Sequence, residues 1–262
     1  MKINSELHLP HSVAVHLENR DFYEEDIGRS DSSVLIFHDR VLKIEKTSEL
    51  SDNEHEMLLW MDGKLPSPRV IAFDRKNGSN YLLMTKQNGK MACDCGLSEE
   101  EVSRLLAKGL KMLWQTDISS CPNRRTILSQ LDEAKKKLTD GSLNGVLPQH
   151  KEFSDFESLF SYLSQHAPQD DFVFSHGDYC LPNVFLSDDG ISGFLDLGRA
   201  GISDRYEDIY MCLWSMRYNF VTLGNMEESR FTDCEAIFFE ELGIEKNLEK
   251  LRFFELLDEF WI

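Results

Sequence analysis

The sequence predicts an α+β chain in two lobes, a small antiparallel sheet with one helix followed by a larger, mainly helical lobe. Three observations carry this. Short apolar runs separated by turn residues crowd into residues 22–85, with one amphipathic stretch among them. After residue 98 the apolar residues recur mostly at helical spacing, and within that region one hairpin signal stands apart at 184–195. The chain has 262 residues and 41% hydrophobic content, enough to build a sizeable core. The expected division is residues 1–86 and residues 87–262, with Lys86 to Gly89 as the hinge.

In order, Asp26 to Ser33 (DIGRSDSS) is a turn leading into a strand, Val34–Phe37. Such a turn can present N–H groups to phosphate, but with a single glycine it reads equally as an ordinary hairpin turn. His38-Asp39-Arg40 then turns the chain into Val41–Ile44. Lys43 lies near the end of that strand, where a lysine usually reaches solvent. A helix follows over Ser51 to Gly63, with Ser51 or Asp52 as its cap and Met57, Leu58 and Met61 as its apolar stripe. Glu54 falls on the same face and needs a cation there, for which Lys43 is the natural candidate; His55 and Glu56 face outward. Leu65-Pro66-Ser67-Pro68 stops the helix, and Arg69–Phe73 and Tyr81–Thr85 make two more strands. Helices are expected over 99–116 with Ser98 as cap, then 127–138, 156–165, 205–218, 231–242 and 248–260. Trp214, Phe253 and Phe254 read as core.

The stretch Phe172 to Asp208 carries the chemistry. His176-Gly177-Asp178 followed by Asn183 has the H-x-D-x-x-x-x-N spacing of a kinase catalytic loop. There the Asp receives the proton of the attacking hydroxyl and the Asn helps hold Mg²⁺. A hairpin, Val184–Leu186 and Ile191–Leu195 around Asp188-Asp189-Gly190, then delivers Asp196-Leu197-Gly198. Phosphoryl transfer gathers negative charge, so an enzyme for it needs an amide and a carboxylate on a hard cation and a separate carboxylate for the hydroxyl. Asp178, Asn183 and Asp196 supply that set. His176 reads as a brace for the loop, and Arg199 and Arg205 as partners for nearby carboxylates.

Charge is lopsided, with 46 acidic against 28 basic residues and a formal net of −18. Such a surface disfavours nucleic acid and anionic membranes and attracts polycations, or serves solubility alone. The first residues lack the apolar run of a secretory signal, and no stretch approaches a membrane span. Six cysteines include no C-x-x-C pair, and Cys93 and Cys95 read as free thiols in a loop. We therefore expect a cytoplasmic protein with reduced thiols, a monomer or weak dimer.

With these residues placed, the chain resembles the aminoglycoside 3′-phosphotransferase family, small-molecule kinases of protein-kinase-like bilobal fold that confer antibiotic resistance. The resemblance runs from about Asp26 to Ile262. It rests on HGDYCLPN, GFLDLGRAGISDRYEDI, the W-x-x-G-K-L-P-x-P of Trp60 to Pro68, and the ending LLDEF. It implies Asp178 as catalytic residue, Asn183 and Asp196 as Mg²⁺ ligands, and Lys43 with Glu54 as the phosphate-gripping pair. It further implies Ser30 near the β-phosphate and Thr85 to Gln87 as the segment whose backbone meets the adenine of ATP (or the base of GTP). Asp258 and Glu259 match the acidic pair that holds substrate ammonium groups. Three departures stand out. Val41 sits where the family stacks an aromatic on adenine, Trp214 where it carries an arginine, and Ser142 to His150 lacks the family's loop carboxylates. The acid-free loop leaves room for another acceptor, such as choline or an amino-sugar. A nucleotide-binding pseudokinase is the non-catalytic alternative, against which Lys43, Asp178, Asn183 and Asp196 all stand.

Overall fold

The computed structural model describes residues 9–17, 21–25 and 32–261. In chain order these form α1 (His11–Ala14), β1 (Tyr23–Glu25), β2 (Ser33–Ile36), β3 (Arg40–Lys46), α2 (Glu49–Met61), β4 (Val70–Lys76), β5 (Ser79–Thr85) and β6 (Lys90–Met91). Then come α3 (Glu99–Trp114), α4 (Ile127–Thr139), α5 (Phe156–Gln165), β7 (Phe172–Ser175), β8 (Val184–Ser187), β9 (Gly190–Phe194) and β10 (Gly201–Asp204). The chain ends with α6 (Arg205–Arg217), a π-helical turn over Tyr218–Leu223, α7 (Glu228–Leu242), α8 (Leu248–Asp258) and a 3₁₀ turn, Glu259–Trp261. The fold is α+β. Among the described residues no helix is long and apolar enough to cross a membrane.

Packing divides the chain into two units. The first takes the described residues up to Leu97 together with Leu181–Ala200; the second takes Ser98–Cys180 and Gly201–Ile262. The hairpin β8–β9 thus packs with the N-terminal residues, whereas the expected division followed the chain and broke it once, after residue 86. The join is built by β6, which pairs with β8 through Lys90 opposite Leu186. Gly89, at φ +100°, makes this approach possible, because a Cβ there would lie 2.3 Å from the Leu186 carbonyl oxygen. The chain after Lys86 is therefore tied into a sheet, with Ser192 Oγ donating to the Asn88 carbonyl at 2.7 Å.

In the first unit an antiparallel sheet of order β1-β2-β3-β5-β4 forms the scaffold. Strand alternation sends Leu42 into a core with Val13, Leu17, Phe22, Leu35, Phe37 and Leu83, and sends Lys43 to the other face. On α2, Glu54 is buried beside Met57, Leu58 and Met61. The cap is Ser48 rather than Ser51 or Asp52. Ser48 Oγ accepts the Ser51 amide at 3.1 Å and Ser51 Oγ accepts the Ser48 amide at 2.9 Å, so Ser51 is the third helical residue of a capping box. His55 is not turned to solvent; it stacks on Phe73 with ring centroids 3.9 Å apart.

In the second unit, α3 packs on α7 and α6 on α8, with α4 beside α5. Ser98 caps α3 as expected, in a box with Glu101. The short antiparallel pair β7–β10 was not anticipated; it sets Ser175 opposite Gly201 just before the catalytic loop. Phe253 and Phe254 are core residues at 4% and 3% exposure, but Trp214 is 46% exposed and stacks on Tyr218. Its expected place in the core is wrong, because the buried face of α6 runs instead through Ile209, Cys212 and Met216.

Candidate active site

In the first unit, Lys43 Nζ donates to Glu54 Oε2 at 2.7 Å and lies 3.3 Å from Asp196 Oδ1 and 3.6 Å from Glu45 Oε1. Burial works against charge on Lys43, but the fields of Glu54, Asp196 and Glu45 outweigh it and raise its pKa. For Glu54 burial dominates and raises the carboxyl's pKa, with the Lys43 ammonium pulling against it. The result is a cation held protonated and rigidly aimed, beside an aspartate whose side chain is 56% exposed. Asp196 reaches this place through a left-handed backbone (φ +59°), a conformation aspartate tolerates better than most residues. Two ties fix it. Leu195 N donates to the Asn183 carbonyl at 2.9 Å. Asn53 Nδ2 on α2 donates to the carbonyls of Gly198 and Ala200, each at 2.9 Å.

Thr85 closes β5, its amide donating to the Arg69 carbonyl and its Oγ1 accepting the Arg69 amide, both at 2.9 Å. The Gln87 side chain turns to the Ser192 carbonyl, over Gly193; a Cβ on Gly193 would meet Gln87 Cδ at 2.2 Å. Val41, half-buried, pairs with Met84 across the sheet. Ser30 and most of the turn around it lie outside the described residues.

In the second unit the loop that carries Asp178 follows β7. His176 is fully buried, its ring edge-on to Tyr179 at 5.9 Å, an aromatic contact rather than the hydrogen bonds by which it was expected to brace the loop. Gly177 adopts φ +76°, open only to glycine without strain, and swings the chain toward Asp178. Asp208 fastens the turn: its two oxygens accept the amides of His176 and Gly177, each at 2.8 Å. Burial pushes Asp208 up to about 7, with Glu207 adding to the shift and the two amides opposing it. Cys180 Sγ donates to Asp178 Oδ1 at 3.0 Å, and burial followed by the Asp178 charge keeps that thiol protonated. Arg205 pairs with Asp171 at 2.6 Å, an answer to a carboxylate rather than a site contact.

At the end of α8, Asp258 Oδ2 accepts the Tyr210 hydroxyl at 3.3 Å. Burial first, then the charges of Asp258 and Glu255, raise the Tyr210 pKa, so the phenol stays a donor. Glu259, expected to pair with Asp258 toward the substrate, is buried. Its oxygens accept the amides of Gln149 at 2.5 Å and His150 at 3.3 Å, and it also meets His150 Nδ1.

The structure therefore brings Lys43, Glu54 and Asp196 into contact and ties Asn183 to them through the backbone. Within the second unit it links Asp178 to Cys180 and Asp258 to Tyr210. Sequence reasoning passed over Asn53, Cys180, Asp208 and Tyr210. Asp208 had a signal, a carboxylate beside Ile209 in the first turn of an expected helix; Asn53 had none, because its partners are backbone carbonyls far along the chain.

The family model described as phosphotransferase enzyme family matches residues 26–227. The aminoglycoside 3′-phosphotransferase of Enterococcus faecalis is 33% identical over 216 residues, covering 80% of this chain and 78% of its own. That of Niallia circulans is 34% identical over 213 residues, covering 79% and 78%. Among solved structures, an aminoglycoside phosphotransferase of Streptomyces rimosus superposes with a TM-score of 0.79 at 22% identity, over 95% of this chain and 96% of its own. A second structure of that enzyme is a complex with ADP and streptomycin, with a TM-score of 0.76.

Proposed function

Because this chain belongs to the phosphotransferase enzyme family, we propose that it moves the γ-phosphate of ATP or GTP to the 3′ hydroxyl of an aminoglycoside, conferring resistance to that antibiotic. The observation that carries the reading is the Lys43–Glu54–Asp196 contact, a caged cation beside an exposed carboxylate. Lys43 neutralises nucleotide phosphate, and Glu54 keeps its ammonium in place without solvent. Thr85 and Gln87 lie on the segment assigned to the nucleotide base, and Ser30 on the turn assigned to the β-phosphate.

Asn183 and Asp196 are the residues that would hold Mg²⁺. An amide and a carboxylate fit a hard cation, and the exposure of the Asp196 side chain leaves room for phosphate and water as further ligands. Bound there, Mg²⁺ supplies charge neutralisation across the phosphates. The acceptor's requirements fall on the second unit. Asp178 orients the acceptor hydroxyl and takes its proton. Its carboxylate is aimed by the Cys180 thiol and by the loop that Asp208 fastens. Asp258, with the Tyr210 hydroxyl beside it, offers charge to an ammonium group. Thiols at Cys93, Cys95, Cys180, Cys212 and Cys234 outside any disulfide support a cytoplasmic enzyme.

The test pairs an acceptor panel with one variant. Nucleotide consumption should rise with an aminoglycoside and not with choline, and NMR of the product should show phosphate on the 3′ oxygen. Asp178→Asn should bind nucleotide and drug as before while turnover falls by about 10²–10⁴-fold, the usual worth of a positioned base. Turnover with choline alone would replace the acceptor, and an unimpaired Asp178→Asn would displace the base.

A further inference from the structure

Resting on that reading, we infer that Glu259 acts on the acceptor only through the loop before α5. It is a positioning residue that seats Gln149 and His150, leaving Asp258 as the carboxylate offered to the acceptor. Both Glu259 oxygens are already engaged by the loop: Oε2 by the Gln149 amide at 2.5 Å, Oε1 by the His150 amide at 3.3 Å and by the His150 ring. The side chain is 5% exposed. At that exposure an ammonium group has little open approach to it, and the amides it holds have no other carboxylate within the loop, since residues 142–150 contain no acid. A buried acceptor left with its donors costs nothing; exchanging them for a flexible ammonium leaves two amides unsatisfied.

A second set of contacts runs alongside. His150 Nε2 lies 3.5 Å from Glu255 Oε1, and Arg252 bridges Glu255 at 2.7 Å and Glu152 on the loop's far side. Residues 252, 255 and 259 recur at helical spacing, so one face of the C-terminal segment receives residues 149, 150 and 152. Asp258 points elsewhere, to Tyr210. Tyr210 also senses the charge of Glu255. The loop is thereby held in the neighbourhood of Asp258, within a single packing unit. Two adjacent acids at the end of α8 thus have separate tasks, one inward on the loop and one toward the acceptor.

Hydrogen exchange on the free protein, read at single amides, tests this without any drug. In Glu259→Gln one acceptor oxygen becomes an NH₂ facing a backbone donor, so the amides of Gln149 and His150 should exchange at least about tenfold faster. Amides in α3 and in the catalytic loop should keep their protection. His150→Ala removes only the ring and should give a smaller acceleration, which keeps the test open should Glu259→Gln fold poorly. Asp258→Asn should leave loop exchange unchanged. In the assay, Glu259→Gln should raise the KM for drug, change kcat by less than about twofold, and keep the wild-type dependence of KM on salt; Asp258→Asn should flatten it. Loop amides as protected in Glu259→Gln as in wild type, or a flattened salt dependence in that variant, would overturn the inference. If wild type phosphorylates no aminoglycoside, the functional reading fails, while the exchange experiment still decides how the loop is held.

Discussion

Trp214 is half exposed, its ring parallel to that of Tyr218 at 5.6 Å and one turn beyond Tyr210. A tryptophan truncated in a core costs about 3–5 kcal/mol, whereas an exposed aromatic pair contributes about 0.5–1.5 kcal/mol beyond its buried area. Trp214→Ala should therefore lower the unfolding free energy by the stacking contribution plus that of the half of the ring that is buried, less than the about 3–5 kcal/mol of a core tryptophan. Urea denaturation measures this, and a loss of 3 kcal/mol or more (the scale of a buried ring) would put the ring back in the core. Lys43 illustrates the opposite case at the same scale. Its partner Glu54 was predictable because a carboxylate on an apolar helical stripe has few ways to be satisfied, and the 2.7 Å contact supplies one.

The element that organises the second unit's site is α6, whose first turn carries Asp208 against the two catalytic-loop amides. An aspartate in an unfolded chain titrates near about 4, while burial pushes Asp208 up to about 7 in the fold. Between those values the unfolded chain has released this proton and the folded chain still holds it. Raising pH through that window therefore costs stability at this group. Asp208→Asn cannot titrate, so its unfolding free energy should fall less between about pH 4 and about pH 7 than that of wild type. Parallel curves from urea titrations at several pH values would show that Asp208 stays ionised in the fold. The same element shows where sequence legibility ended. The helix α5 could be bounded to the residue from its apolar spacing. In α6 the buried face includes Glu207 and Asp208, so apolar periodicity misassigned Trp214. The strands β7 and β10 are buried on both faces at nearly every position, so no alternation marks them. The contact of Asp196 with Lys43 and the backbone tie of Leu195 to Asn183 fall within the stretch that the motif spacing singled out. Glu259 was not legible, because its partners come from a loop with no pattern of its own.

At the scale of the whole molecule, a formal charge of −18 acts with opposite sign on the two substrates. An aminoglycoside is a polycation, drawn by the general field and, on the proposed reading, by Asp258, so salt should weaken it on both counts. A nucleotide is an anion, repelled by the general field but, on the proposed reading, held locally by Lys43, so screening removes one favourable and one unfavourable contribution. Charges farther apart than about 8 Å are largely screened at physiological ionic strength, so the general field fades first as salt is added. KM for drug should therefore climb steadily from low to physiological salt, while KM for nucleotide changes little or falls before it rises. Steady-state kinetics at fixed Mg²⁺, with a non-coordinating salt varied, would measure both. An equally steep rise for both substrates would mean that local ion pairs dominate and that the acidic surface serves solubility alone. A flat response for the drug would remove charge from acceptor recognition altogether.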